Sequence, residues 1–226
     1  MKSIQKKIEN LRIELHQHNH SYYVMDQPII SDYDFDMKLN RLIELEKEYP
    51  EYFDTNSPSQ RVGGSITKSF DTVVHESPMY SLNNSYSKED LEDWQLRVIK
   101  KLTNKNIEYL CELKFDGVSI NLTYEKGTLV SAVTRGDGVK GDDVTENIKT
   151  IKTIPLKLTG DFPDKFQIRG EIFIEKDDFE KMNLDRIKIG LDPYMNPRNT
   201  ASGSLKLQDS SEVAKRPLKC YLFQIL

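Results

Sequence analysis

Cysteine is almost missing from this chain: Cys111 and Cys220 are the only two in 226 residues. A disulfide framework and a thiolate-ligated zinc site are thereby excluded, and both residues read as small buried hydrophobes of an intracellular chain. Long apolar runs are missing too. No segment approaches the ~18 apolar residues that a membrane-spanning helix needs, and the opening MKSIQKKIENLRIEL is charged throughout, unlike a secretory leader. The expected location is the cytoplasm, with no membrane partner. An excess of positive charge is also lacking, since 32 Lys and Arg face 36 Asp and Glu for a net charge of -4. A broad basic cradle for nucleic acid is therefore not the chain's main feature, and any DNA contact has to be local. What remains, 37% hydrophobic and 30% charged residues, is the composition of a globular chain long enough to bury a core.

Hydrophobic spacing divides the chain. Ile4, Ile8, Leu11 and Leu15 form one stripe of an amphipathic helix over residues 4–22. A second helix is predicted over 32–49, where Ser31 and Asp34 make a capping pattern, Phe35, Leu39, Leu42 and Leu45 recur at helical spacing, and Pro50 ends it. Joined through MDQPII, the two read as a helical hairpin. Residues 50–86 are irregular, and Ser87 with Asp90 then caps a third helix carrying Leu91, Trp94, Val98 and Leu102. From 107 the period falls to two. IEYLCEL, VSINLTYE and TLVSAVTR are predicted strands of an antiparallel meander, FQIRGEIFI a further strand, and CYLFQIL a last one. DDVTENIKTI and KDDFEKMNLDRI read as helical and DPYMNPRNTASGS as a loop. The fold class is α+β: a helical module over 1–62, then a mainly antiparallel sheet over 63–226.

HQHNH resembles a metal cluster at first sight, but only His16 and His20 share a helical face, and no cysteine stands nearby in sequence. It reads as surface polarity. CELKFDG carries more. Glu112 and Lys114 share strand parity, Arg135 follows in TRGDG, and Arg169 and Glu171 alternate against Ile168, Ile172 and Ile174 in the strand FQIRGEIFI. One sheet face can thus gather Glu112, Lys114, Arg135, Arg169 and Glu171. An amine attacks once it has shed its proton, which neighbouring cations promote, and arginines hold a phosphate while charge develops on it. These are parts for attack of a lysine on a nucleotide phosphate, although a solvated face of paired charges has the same composition.

ELKFDG, TRGDGVKGDDVTENIKTI, IRGEIFI and NPRNTASGSL, in this order, resemble the nucleotidyltransferase domain of the bacterial NAD-dependent DNA ligases, which has an ATP-grasp-like ligase core. YYVMDQPIISDYDFD, NSPSQRVGG and SPMYSLNN resemble that family's N-terminal helical module and its linker, so the likeness covers nearly the whole chain.

The resemblance implies that Lys114 attacks the α-phosphorus of NAD, leaving lysyl-AMP and releasing nicotinamide mononucleotide. It implies that Glu112, Arg135 and Glu171 contact the adenosine part, that Asp32, Tyr33, Asp34, Phe35 and Asp36 with Ser81 and Leu82 contact NAD, and that Tyr22 meets the nicotinamide half. Arg198 in NPRN is expected on a phosphate. Magnesium is the implied metal, while the zinc of the full-length family has no ligands here. The implied partner of the longer enzyme is nicked duplex DNA, whose 5'-phosphate and 3'-hydroxyl are joined in replication and repair, and a monomer is expected. Three positions depart from the pattern: Phe35 replaces a tyrosine, Tyr23 stands where several relatives have a histidine, and Lys206 replaces an arginine and so loses the bidentate fork. The family continues with further strands and domains beyond this length, so the chain is expected to be an N-terminal portion that cannot seal nicks alone. Two other readings remain: an NAD-binding portion whose lysine never reacts, and an ATP-dependent ligase or capping enzyme.

Overall fold

Helix α1 (Lys2–Tyr23) and helix α2 (Asp32–Glu48) form the expected hairpin in the computed structural model, which describes residues 2–23, 29–62, 69–102 and 107–226. Ile8, Leu15, Leu42 and Leu45 interlock as its core, with Phe35 and Leu39 packed against them. Ser31 caps α2 by accepting a hydrogen bond from the Asp34 amide at 3.1 Å. One ion pair crosses the hairpin out of solvent. Both Nε and Nη2 of Arg12 approach Glu46 Oε1, at 2.8 and 2.6 Å, and Nη2 also donates to the Tyr52 carbonyl. The Ser59 hydroxyl donates to the other Glu46 oxygen, so the buried charges are paired and both Glu46 oxygens are engaged.

The histidines are not uniform surface polarity. His20 is exposed, but His18 is buried and His16 half-buried. Burial, and then the nearby cations Arg61 and Lys157, push the His16 pKa down to about 4; Arg12 acts in the same sense and Asp54 opposes them. A ring kept neutral in the folded chain but protonated near pH 6.5 when unfolded stabilises the fold fully above pH 6.5, and the stability is lost as pH falls from there towards 4. Urea midpoints taken between pH 7 and pH 5 are expected to drop by the equivalent of ~2 kcal/mol. In His16→Leu that drop should be largely absent; an unchanged pH dependence would show that His16 is not its source.

A short 3-10 turn (Pro58–Val62) ends the helical module and joins it to the sheet. There Arg61 is buried and donates through Nη1 and Nη2 to the carbonyls of Ile151 and Ile154, at 3.0 and 2.7 Å.

The sheet has four antiparallel strands in the order β3–β2–β5–β6, with β2 Val118–Glu125, β3 Thr128–Thr134, β5 Lys165–Phe173 and β6 Lys219–Ile225. A two-residue turn at Lys126 and Gly127, both at positive φ, joins β2 to β3. Ile120, Leu122 and Tyr124 of β2 and Ile172 of β5 face a core closed by Ile148, Ile154 and Leu156 together with Ala201 and Leu205. The alternate residues Ser119, Asn121, Arg169 and Glu171 carry the polar face, in the alternation predicted for β5. A small ribbon pairs β1 (Thr72–Val74) with β4 (Lys140–Asp142). Helices α3 (Lys88–Lys101), α4 (Thr145–Ile148), α5 (Lys176–Lys188), α6 (Pro197–Leu205) and α7 (Ser210–Ala214), with a 3-10 turn at Pro50–Tyr52, complete the described elements.

Three expectations are corrected. Residues 107–116 form no strand despite their alternation. Both edges of β2 and of β5 are already taken, and this segment pairs with neither outer edge of the sheet, so it has no ladder to join. Cys111 on that segment is exposed, whereas Cys220 is half-buried and its thiol is pushed up to about 12 by burial and then by Glu171. Finally, NPRNTASGSL is a helix. Asn196 caps α6 by accepting from the amides of Arg198 and Asn199, and Pro197 occupies the first turn, where it has no amide to waste.

No described helix is long and apolar enough to cross a membrane.

Candidate active site

At the end of the sheet where β2 begins and β3 and β5 finish lies a cleft of about 290 Å³. Lys114, Asp116, Gly117, Ser119, Arg135, Glu171, Arg198 and Lys206 are among the residues that line it. They arrive from four directions: the KFDG turn with the start of β2, the loop after β3, the end of β5, and helix α6 with its C-cap.

Glu171 organises the floor. It is 8% exposed, opposite Ser119 in register, and accepts from the Gly117 amide through Oε1 at 3.1 Å and from the Ser119 hydroxyl through Oε2 at 2.8 Å. A buried carboxylate with both oxygens engaged is satisfied, and here it fixes the turn that carries Lys114. Phe115 fixes the same turn from the other side, its ring centroid 4.4 Å from that of Tyr221 and 5.6 Å from that of Phe173. Lys114, between these anchors, is exposed at the cleft.

The cations of the wall are held by carboxylates, Asp116 exposed and Asp142 half-buried. Arg198 Nη1 lies 3.2 Å from Asp116 Oδ1, and Lys206 Nζ lies 2.6 Å from Asp142 Oδ2. An exposed pair such as Arg198 and Asp116 contributes ~1 kcal/mol or less, so its arginine is free to exchange partners at little cost. Arg135 is carried by a loop closed on itself: the Asp137 carboxylate accepts from the Lys140 and Val139 amides at 2.9 Å each, contacts that hold its pKa below the usual carboxylate value. The Arg135 amide donates to the Ser119 carbonyl at 3.1 Å.

Lys114, Arg135, Glu171 and Arg198 therefore converge, as does Lys206. Ser81 joins them indirectly, 3.3 Å from Arg135 Nη1. Leu82 is exposed beside it in sequence and does not line the cleft. Glu112 is exposed on the irregular segment and does not line the cleft either. On α2, Tyr33, Asp34 and Asp36 are exposed while Phe35 turns into the hairpin core; the side chains of Tyr22, Tyr23 and Asp32 lie outside the described residues. Arg169 shares the polar face but is spent elsewhere, donating through Nη2 to the carbonyls of Ser77 and Pro78. Asp116, Ser119 and Asp142 are cleft residues or partners that sequence reasoning passed over. Ser119 was readable from strand pairing with Glu171, but Asp142 had no local signal. Among the described residues no three carboxylate, imidazole or thiol groups converge as a metal cage.

Two family models match the chain: the N-terminal NAD+-binding domain of the DNA ligase-like proteins over residues 1–63, and the NAD-dependent DNA ligase adenylation domain over residues 67–226. The chain is similar to proteins named DNA ligase in several bacteria. Identity is 65% to that of Flavobacterium psychrophilum, over 99% of this chain and 34% of the relative. To that of Bacteroides fragilis it is 52%, over 99% and 34%, and to that of Cytophaga hutchinsonii 51%, over 97% and 33%. The chain thus spans about a third of the length of the curated relatives it matches.

Proposed function

This chain belongs to the NAD-dependent DNA ligases, carrying their NAD+-binding and adenylation domains, and we propose that Lys114 takes the adenylate of NAD in the cleft at the end of the sheet. The observation that carries the reading is the convergence there of Lys114 with Arg135, Arg198 and Lys206 over a buried glutamate. The Lys114 amine, having released its proton, forms a bond to the α-phosphorus. The bond from that phosphorus to the bridging oxygen breaks, and nicotinamide mononucleotide leaves with the electron pair. Arg198 and Lys206 exchange their aspartates for phosphate oxygens and stabilise the charge that develops on them. Glu171 and Ser119 face the adenosine side. The helical module, with Tyr22 and residues 32–36, grips the nicotinamide half.

In the longer protein the adenylate passes on to the 5'-phosphate of nicked duplex DNA and the 3'-hydroxyl displaces it, sealing breaks left by replication and repair. Magnesium, which accompanies nucleotide phosphates, is supplied with the substrate.

Incubation of the chain with magnesium and NAD labelled in its adenylate tests the reading. An acid-labile covalent adduct, with one nicotinamide mononucleotide released per adduct, is the expected result. Label taken up from ATP and not from NAD sinks it. Measurable NAD binding with no adduct favours instead a binding portion whose lysine does not react.

A further inference from the structure

Residues 72–81 run as a strap alongside the loop that carries Arg135, and four sets of contacts hold it. Strand β1 pairs with β4, Val74 opposite Lys140. The His75 amide donates to the Val139 carbonyl at 2.9 Å and the Met79 amide to the Gly138 carbonyl at 2.8 Å. The His75 ring, buried at 8% exposure, brings Nε2 to 3.2 Å from the carbonyl oxygen of Arg135 itself. A carbonyl can only accept, so Nε2 is the protonated nitrogen. From the sheet, Arg169 Nη2 reaches the carbonyls of Ser77 and Pro78 at 3.0 and 2.8 Å. The strap then places Ser81 beside the Arg135 guanidinium.

None of these contacts is needed for the core, which lies on the other face of the sheet. A buried histidine and an arginine are instead spent on main-chain carbonyls of one irregular segment and one loop. We propose that His75 and Arg169 are positioning residues: together they clasp the strap to the sheet, hold the Arg135 backbone in place and so set where its guanidinium meets the nucleotide. The clasp rests on the proposed function in one respect only, that Arg135 contacts NAD. His75 clamps the loop from the strap side, Arg169 clamps the strap from the sheet side, and losing either lets Arg135 and Ser81 drift apart. Because displacements of ~1 Å at a binding group are felt strongly in the transition state, the clasp shows in adduct formation as well as in affinity.

Four variants of the chain test this: His75→Phe, His75→Gln, Arg169→Met and Arg169→Lys. Each is followed by calorimetric titration with NAD and by amide hydrogen exchange at His75 and Met79, whose N–H groups donate to the loop. His75→Phe and Arg169→Met are expected to raise the NAD dissociation constant about tenfold and to speed exchange at both amides. His75→Gln, which keeps a donor near the position of Nε2, should recover most of the affinity, and Arg169→Lys part of it; recovery by donor replacement is not expected of a residue that merely fills space. If exchange accelerates while affinity stays at the parent value, or if neither changes, the proposal is overturned. A parent chain that binds no NAD overturns the functional reading and the clasp's role with it, whereas NAD binding that all four variants leave untouched overturns the clasp alone.

Discussion

Lys114→Ala is expected to bring adenylate labelling from NAD down to background while leaving the folded chain as stable as before. The two halves of that result have separate physical causes. Lys114 is the one amine on the KFDG turn at the cleft, so its removal takes away the atom proposed to form the bond to phosphorus, and a loss of at least ~1,000-fold follows where covalent catalysis depends on a single nucleophile. Yet its side chain is exposed, and the turn is held by neighbours: the Gly117 amide on Glu171 and the Phe115 ring against Tyr221. Surface truncations of this kind shift stability by ~0.5 kcal/mol or less. NAD affinity is expected to fall only a few-fold, because Arg135, Arg198 and Lys206 remain. Lys114→Arg sharpens the test. It keeps a positive charge in the cleft but puts there a guanidinium that does not deprotonate, so it should bind NAD and still form no adduct. Labelling measured on acid-quenched samples, beside a thermal melt of each variant, checks both halves, and an adduct that persists in Lys114→Ala would falsify the assignment of the nucleophile.

The helical hairpin was legible because its information is local. Stripes at Ile8 and Leu15 and at Leu42 and Leu45 need only 3.6-residue spacing to be seen, and the same residues form its buried core. β5 was legible for a similar reason, its alternation separating Ile168 and Ile172 from Arg169 and Glu171. Residues 107–116 misled because a period of two states only that a segment suits a strand; whether it becomes one depends on a partner edge, and a partner is not a local property. NPRNTASGSL misled in the opposite sense. Its asparagines, proline and glycine are turn residues by composition, but Asn196 and Pro197 stand where a helix start uses them, and Ala201 and Leu205 are then buried as one face.

The site follows the same division. Lys114, Arg135, Glu171 and Arg198 could be picked out by residue type and motif, and chain topology brings them to one cleft. The partners that hold them there could not. Asp142 reaches Lys206 from a two-stranded ribbon, and His75 reaches Arg135 across 60 positions of sequence. Charged groups that do chemistry leave a mark in sequence, whereas groups that orient them are defined by what the fold brings alongside.

Gly117→Ala is expected to damage both fold and chemistry, in contrast to Lys114→Ala. A Cβ built at Gly117 stands 2.0 Å from the carbonyl oxygen of Ile172, 2.9 Å from its carbon and 3.2 Å from Glu171 Cγ. Two of these neighbours are main chain of β5, a central strand that pairs on both edges, so they cannot swing aside as a side chain would. The turn has to move instead. As it moves, the Gly117 amide leaves Glu171 Oε1 and the opposed pair Val118 and Ile172 separates. Overpacking costs ~1–3 kcal/mol and a buried carboxylate oxygen left without its donor ~1–3 more, and at ~2–4 °C per kcal/mol for a chain of this size the melting temperature should fall by roughly 4–24 °C. Below the transition the chain still folds, but with Lys114 displaced from its place at the cleft, and adduct formation is expected to drop at least a hundredfold. Gly203→Ala is the matched comparison. It lies within α6, where an added Cβ meets nothing within 4 Å, so alanine there should leave labelling unchanged and raise the melting temperature slightly through its better helix propensity. Equal melting temperatures for Gly117→Ala and the parent would mean that the KFDG turn does not pack on β5 as described, and that Glu171 does not hold the lysine's turn.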